Sequence, residues 1–325
     1  MSEVVVKTRV RLARNLKDYP FECRLNADEK KEIAEKVCKI LEKSEYDFTR
    51  YDMEKLSQVD KIALVERHLI SPEFVSNNAG AVALISSNEE ISIMLNEEDH
   101  IRLQIIKNGL FLEEAYEIAD KLDDILSEKL EFAFSEKLGY LTQCPTNLGT
   151  AMRASVMLHL PALQKSHAVV RIGNNLSKLG LTIRGMYGES SKPSGALYQL
   201  SNQVTLGISE KAAIENLKNI TNQLITQEIK SRASLSSDIS VVDTVSRSLG
   251  ILKTARIISS DEAMNLLSNV RFGVSVKLLE TLSLDSIDEL ICEIQPASIM
   301  KKYGTELTVS ERDIKRAEYL REKLN

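Results

Sequence analysis

Arginines recur at four separated places in the chain, and at one of them they stand beside carboxylates. The first is Thr8-Arg9-Val10-Arg11-Leu12-Ala13-Arg14 and the second is Asn96-Glu97-Glu98-Asp99-His100-Ile101-Arg102. The third, Cys144-Pro145-Thr146-Asn147-Leu148-Gly149-Thr150, leads to Arg153; the fourth is Ile183-Arg184-Gly185-Met186-Tyr187-Gly188-Glu189. A guanidinium is always charged and presents a planar fork of donors. Several of them converging from distant stretches suit a polyanion such as a nucleotide triphosphate. Carboxylates beside them suit a cationic second substrate. Each piece alone has a plainer explanation: an arginine-rich edge strand for Arg9 and Arg11, a solvated salt-bridged sheet face for 96–102, a helix-entry loop for 147–150, a hairpin turn for 184–189. Their joint occurrence is what points to a site.

The elements that must position these residues are legible as periodicities. Val4 to Leu12 alternates around Arg9 and Arg11, a strand with both arginines on one face. Asn26 with Glu29 makes a capping box for a helix carrying Ile33, Val37, Ile40 and Leu41. A second helix is expected over Met53 to Arg67. Ala81–Ser86 and Ile91–Ile105 read as paired strands about a turn at 87–90; as a strand, the latter would align Asn96, Glu98, His100 and Arg102 on one face, with Glu97 and Asp99 turned away in support. Leu112 to Phe134 is amphipathic. Arg153 to Leu163 is expected as a helix after the glycine-containing loop, whose backbone N–H groups could meet an anion. Val169–Ile172, Leu181–Met186 and Leu197–Leu206 read as strands, and Ser209 caps a long helix. Beyond a serine-rich stretch at 231–237 strand signals fade, and four helical segments each begin at serine (Ser237, Ser260, Ser283, Ser310). This places a boundary near 235, dividing the chain into 1–234 and a helical 235–325.

Composition narrows the function classes. Net charge is −5, which argues against generic affinity for nucleic acid and makes the arginines a local feature. No apolar run reaches the roughly 20 residues that span a membrane, and the N-terminus lacks the shape of a secretory signal. The four cysteines, Cys23, Cys38, Cys144 and Cys292, contain no CxxC pair, which argues against a zinc site or a disulfide framework and for a reducing cytoplasm.

Taken together, the four motifs resemble the catalytic domain of the phosphagen kinases, the ATP:guanido phosphotransferases, over roughly residues 4–230. The Asn-Glu-Glu-Asp-His segment is a specific signature of that family. The resemblance implies an α+β fold, an antiparallel sheet flanked by helices, followed here by a small all-α domain. It implies ATP phosphates held by Arg9, Arg11, Arg102, Arg153 and Arg184, with His68 near the nucleotide. The nucleotide site would also include Lys7, Thr8 and Val10, the run Ala154, Ser155, Val156 and Met157, and the loop Gly185, Met186, Tyr187, Gly188 and Glu189. Lys7 stands where the family usually has serine. Glu98 and Glu189 align with the carboxylates that handle the guanidinium, and Cys144 lies next to that site, or is simply a buried structural thiol.

Two features of layout separate the chain from metabolic phosphagen kinases. It starts at the first strand, with no room for their N-terminal helical domain, and it carries a helical extension. That layout is similar to the bacterial branch that phosphorylates arginine residues in proteins, as are Ala13-Arg14-Asn15-Leu16, Gly185-Met186-Tyr187-Gly188-Glu189 and Arg312-Asp313-Ile314-Lys315-Arg316-Ala317. In that branch the last segment recognises phosphoarginine, which implies Arg312, Asp313, Arg316 and Ala317 as ligands. On the residues alone, a solvated, salt-bridged helix is the plainer explanation.

The expected chemistry follows from the arginine side chain. A protonated guanidinium, with a pKa above about 12, has no usable lone pair for attack on phosphorus. Two carboxylates can fork it into place while one takes its proton, Glu98 as principal base and Glu189 as clamp. Fixed positive groups stabilise the transferring phosphoryl group, with Mg²⁺ bridging the phosphates. The resemblance further implies protein substrates, the Clp protease system, a zinc-containing activator protein, a heat-shock repressor and homodimerisation. A kinase of free arginine or another guanidino metabolite, and an inactive phosphoarginine-binding adaptor, are the competing readings.

Overall fold

A computed structural model describes residues 3–76, 79–185 and 194–325. The chain divides into two compact units: Lys7–Val156 with Ser201–Asn219, a sheet unit, and Met1–Val6 with Met157–Leu200 and Ile220–Asn325, a largely helical unit.

The sheet unit begins with β1 (Val5–Arg14), whose burial alternates so that Lys7, Arg9 and Arg11 share one face while Thr8, Val10 and Leu12 are buried on the other. After α1 (Ala27–Leu41) come β2 (Phe48–Asp52), α2 (Gln58–Glu66), β3 (Val82–Ser86), β4 (Ile91–Leu95) and β5 (Ile101–Asn108). Then follow α3 (Leu112–Ser127), the short β6 (Phe134–Ser135) and β7 (Gly139–Tyr140), and the start of β8 (Met152–His159). Strand order is β2-β3-β4-β5-β1, followed by the parts of β8 and β10 (Leu197–Asn202) that fall in this unit. The pairs β2–β3, β3–β4, β4–β5 and β5–β1 are antiparallel.

Register does the positioning. Ala13 faces Arg102 and Arg11 faces Gln104 across β1 and β5. Residues directly opposite share a sheet face, so Arg9, Arg11 and Arg102 lie on the same one. Toward β3 that face is covered by an apolar cluster that includes Met53, Leu64, Phe74, Met94 and Ile106. The opposite face carries the alternating run Ile101, Leu103, Ile105, with α3 packed on β5. The capping box expected at Asn26 and Glu29 is formed: the Asn26 side chain accepts from the Asp28 and Glu29 N–H groups.

The helical unit holds the remainder of β8 and β10, with β9 (Leu181–Gly185) beside β10, and α4 (Pro161–Lys165) and α5 (Ala168–Ser177). α6 (Glu210–Leu235) runs on into this unit, followed by α7 (Ile239–Thr254), α8 (Ser260–Ser275), α9 (Leu284–Glu293), α10 (Pro296–Tyr303) and α11 (Val309–Leu324). Leu252, Leu267, Val270, Ile287, Ile294 and Leu320 are among the fully or nearly fully buried side chains of its core. Beside that core lies a polar cluster. His159 is wholly buried; its Nε2 meets Ser268 at 2.9 Å, and Arg232 and Arg271 both approach its Nδ1 at 3.3 Å. Glu228 and Asp288 neutralise the two arginines, as buried charge requires.

Several sequence expectations are corrected. Ile91–Ile105 is not one strand: Asn96 adopts a left-handed φ of 58°, and a loop at 96–100 separates β4 from β5. Asn96, Glu98, His100 and Arg102 are therefore not aligned on one strand face. Arg153–Leu163 is mainly strand, because Met152, Ala154, Val156 and Leu158 are buried at period two; only Pro161 onward is helical, and the loop before Arg153 is no helix N-terminus. Val169–Ile172 is helical despite its β-branched residues: Val170 is 74% exposed while Val169 and Leu176, seven apart, are buried. The helix begun at Leu112 stops at Ser127, and the one expected from Met53 is a 3₁₀ turn followed by α2. The caps of α7 and α11 are Asp238 and Thr308 rather than serine.

Candidate active site

The break between β4 and β5 is a five-residue loop closed on itself: the Asn96 N–H donates to the His100 carbonyl at 2.9 Å and the Glu97 N–H to Asp99 at 3.2 Å. Its side chains divide their work. Asn96 donates to the carbonyls of Lys30 and Gly80, both at 2.8 Å. Glu97, only 4% exposed, pairs with Arg102 at 2.5 Å and accepts from Ser71 at 2.6 Å and from the Glu98 N–H at 2.8 Å. Asp99 accepts from Asn15 at 2.6 Å and from the Gln143 N–H at 2.8 Å. His100 accepts the Leu16 N–H on Nδ1 at 3.0 Å and directs Nε2 at the Pro20 carbonyl at 2.8 Å, so Nε2 carries the proton. The carboxylate of Glu98 makes no hydrogen bond among the described residues and is half-buried at the loop's tip. A base with this freedom can serve a substrate.

Charge separates the three acids further. Burial alone would lift Glu97, but Arg102, Ser71 and the Glu98 N–H hold it below the usual carboxylate range. Glu98 is raised, first by burial and then by its neighbours Asp99 and Glu97. Asp99 is raised by burial, against the hydrogen bonds from Gln143 and Asn15.

The cations lie on the adjoining sheet face. Arg9 is lowered to about 10 by burial and by the charges of Arg102 and Arg153; Arg11 is lowered by burial and by Arg9, Arg102 and Arg153. All remain cationic at neutral pH; the depression comes first from burial and then from mutual repulsion, and a bound anion would relieve the repulsion. The Nε of Arg11 is buried and has no hydrogen-bond partner among the described residues. A donor left so inside a cationic cluster fits a phosphate oxygen. His68, at a left-handed φ of 64°, is pushed down to about 3 by burial and by Lys7 and Arg9, so it is neutral at working pH. Gln104 on β5 fixes its carbonyl at 2.8 Å. Arg11, Arg102, Arg153 and Glu98 line one small cleft of about 80 Å³, with Asn147 at its edge.

The loop from Cys144 reaches this cleft by close packing. Gly149 has φ +104°, and a Cβ there would lie 2.2 Å from the Thr205 carbonyl oxygen. Thr205 in turn donates to the carbonyls of Leu148 and Thr146. Asp99, by holding Gln143, ties the carboxylate loop to the segment that enters Cys144. The Cys144 thiol is partly exposed and lies 3.1 Å from the Thr146 hydroxyl.

Other expected site residues are placed as follows. Thr8 and Val10 direct their side chains to the opposite face; Thr8 donates to the Gly109 carbonyl and accepts from the Phe111 N–H. Ala154, Ser155 and Val156 are all buried, and only Arg153 and Met157 of this run are partly exposed. Met157, Arg184 and Gly185 belong to the helical unit, with Arg184 half-buried on β9 and Gly185 buried at its end. Met186, Tyr187, Gly188 and Glu189 lie outside the described residues. On α11, Arg312 and Asp313 are partly exposed, but Arg316 is 1% exposed and bonded to the carbonyls of Ile294 and Ile258 and to Asp313; Ala317 is buried.

Several supports were invisible in the sequence. Arg14 stands in the same motif as Arg9 and Arg11, yet it is buried, paired with Asp123 at 2.8 Å and stacked 3.5 Å over Tyr140. No local signal links positions 109 residues apart. Ser71 and Gln143, which help fix the Glu98 loop, likewise have no motif of their own, and Asn15 stood in a motif without any sign of this role.

Residues 29–231 match the family described as ATP:guanido phosphotransferase, C-terminal catalytic domain, and residues 238–325 match the protein-arginine kinase McsB C-terminal domain. The protein-arginine kinase of Halothermothrix orenii is 48% identical over 99% of this chain and 93% of its own length. That of Caldanaerobacter subterraneus subsp. tengcongensis is 45% identical over 99% and 97%. The crystal structure of a lombricine kinase superposes with a TM-score of 0.65 at 24% identity, covering 72% of this chain and 68% of that one, which shows the fold alone. With its two halves matched in order and full-length relatives at this identity, the chain belongs to the protein-arginine kinases of the ATP:guanido phosphotransferase family.

Proposed function

We propose that this chain transfers the γ-phosphoryl group of MgATP to arginine side chains of proteins. The observation that carries this is the cleft in which Glu98, its carboxylate without a hydrogen bond among the described residues, stands with Arg11, Arg102 and Arg153. In the reaction Glu98 takes a proton from the guanidinium, the freed nitrogen lone pair attacks the γ-phosphorus, and the bond to the β–γ bridging oxygen breaks to release ADP. Arg9, Arg11, Arg102 and Arg153 hold the phosphates and absorb the charge spreading over the equatorial oxygens. Arg184 and the loop bearing Glu189 complete the nucleotide and guanidinium contacts in this reading, and Cys144 borders the acceptor. Mg²⁺ enters with the nucleotide as part of the substrate and neutralises phosphate charge.

The segment 1–234 serves as the catalytic part and 235–325 as the recognition part, where Arg312 and Asp313 are the accessible candidates for a phosphoarginine. Its products feed the Clp protease system, with a heat-shock repressor among the substrates, a zinc-containing activator and a homodimer as partners, and the stress response in the cytoplasm as setting. What supports these finer points is the likeness to full-length protein-arginine kinases.

The test is phosphoarginine mass spectrometry on an arginine-rich protein incubated with ATP and either wild-type or Glu98→Gln enzyme, with free arginine in competition. Phosphoarginine in the protein, lost in the variant, is expected. Preferential phosphorylation of free arginine would make the chain a guanidino-metabolite kinase. Phosphoarginine binding without ATP turnover would make it an adaptor.

A further inference from the structure

The sheet unit holds a cavity far larger than the cleft beside Glu98. It is a groove of about 790 Å³ between α1 and α3, walled by the segment Leu16–Tyr19 and by residues 128–131. Its floor is apolar, from Leu16, Ile40, Ile125 and Leu130. Lysines line one wall, Lys36 and Lys39 on α1 and Lys43 in the turn that follows the helix. Lys36 is held by Glu32 and Tyr19, but Lys39 and Lys43 are exposed and make no ion pair among the described residues. Of the four carboxylates that line the groove, Glu45 pairs with Lys121 and Glu131 with Lys17, while Asp18 and Glu128, away from α1, are exposed. An apolar trough of this size, bordered along one side by the unneutralised Lys39 and Lys43, suits a helix whose apolar face is edged by carboxylates that meet those lysines.

The groove's wall also reaches the loop that carries Glu98. Leu16 donates its N–H to His100, Pro20 accepts from the same ring, and Asn15 bonds both Asp99 and the His100 N–H. The Lys17 N–H bonds the Glu131 carbonyl and the Ala133 N–H bonds Asn15, so both walls meet at these residues.

We propose that this groove is a docking site for an acidic amphipathic helix of a partner protein, one that steadies residues 15–20 and through them the Asn96–His100 loop. The probe is a fluorescent amphipathic helical peptide with leucines on one face flanked by glutamates. Its counterpart with lysines in place of the glutamates is the control. Fluorescence anisotropy with the full chain is expected to show binding of the acidic peptide only, weakened about tenfold or more in Lys39→Glu/Lys43→Glu, two exposed positions whose exchange leaves the core intact. Hydrogen exchange is expected to slow at the Leu16 and His100 amides when the peptide is bound. Equal affinity in the variant, preference for the basic peptide, or protection mapping elsewhere would overturn the proposal. So would displacement by single-stranded RNA, or loss of a dimer in the variant by sedimentation, which would put a nucleic acid or a second copy there instead. None of these readouts uses kinase activity, so their failure leaves the catalytic reading untouched.

Discussion

Glu98 is the acid in its loop whose carboxylate is spent on no hydrogen bond among the described residues, and its two acidic neighbours tune it. Burial and the charges of Asp99 and Glu97 raise it, so it takes up a proton at higher pH than free glutamate and then cannot accept one from a guanidinium. The rate of phosphoryl transfer should therefore fall as pH drops through an inflection lying above the usual glutamate value of about 4.3. Removing the charge of one neighbour in Asp99→Asn should move that acid limb to lower pH, which a pH profile of kcat would detect. Glu98→Gln keeps the shape and loses the base, so kcat should drop by about 10²–10⁴. Among the cations, Arg11 has a buried Nε with no partner among the described residues. Arg11→Lys keeps the charge and loses that fork, and should raise the KM for ATP by about tenfold, read from initial rates.

At the scale of the element, the site depends on backbone that only particular residues can adopt. The loop ending at Gly149 packs its α-carbon against the Thr205 carbonyl, at a φ open mainly to glycine. Gly149→Ala should force the loop from the cleft, with kcat falling more than stability, measured by rates against urea unfolding. The Asn96–His100 loop is pinned from outside by residues from five other stretches, at 15–20, 30, 71, 80 and 143. His100 is one of those pins and is kept neutral, burial lowering its pKa. A group lowered in the folded state adds stability above its unfolded pKa of about 6.5 and loses it as pH falls toward the folded value. Hydrogen exchange at the Leu16 amide should accordingly speed up below about pH 6, and should lose that dependence in His100→Asn.

For the whole molecule, the buried polar cluster in the helical unit is the largest single risk to folding. Arg271 bridges Asp288, the Glu3 carbonyl and His159. Arg271→Ala leaves these acceptors and a carboxylate without their cation, a change that costs about 3–5 kcal/mol in comparable buried pairs; urea unfolding of the full chain checks it. Nothing in the sequence announced this cluster, since its members lie at 3, 159, 228, 232, 271 and 288. Strand alternation through Arg9 and Arg11, the capping box at Asn26 and the serine-capped Leu284–Glu293 helix were legible, because each is set by spacing within a few residues. So was the identity of the chemical groups, since arginine and glutamate carry their charge wherever they stand. The strand at Met152–His159 and the helix at Ala168–Ser177 were misjudged because burial, which decides between period two and period 3.6 in a short apolar run, comes from distant partners. The same cause hid the most consequential feature of the site. Sequence supplied five adjacent polar residues at 96–100, and only tertiary contacts with Ser71, Asn15, Leu16 and Gln143 decided which of them would be tied down and which would remain free to take a proton.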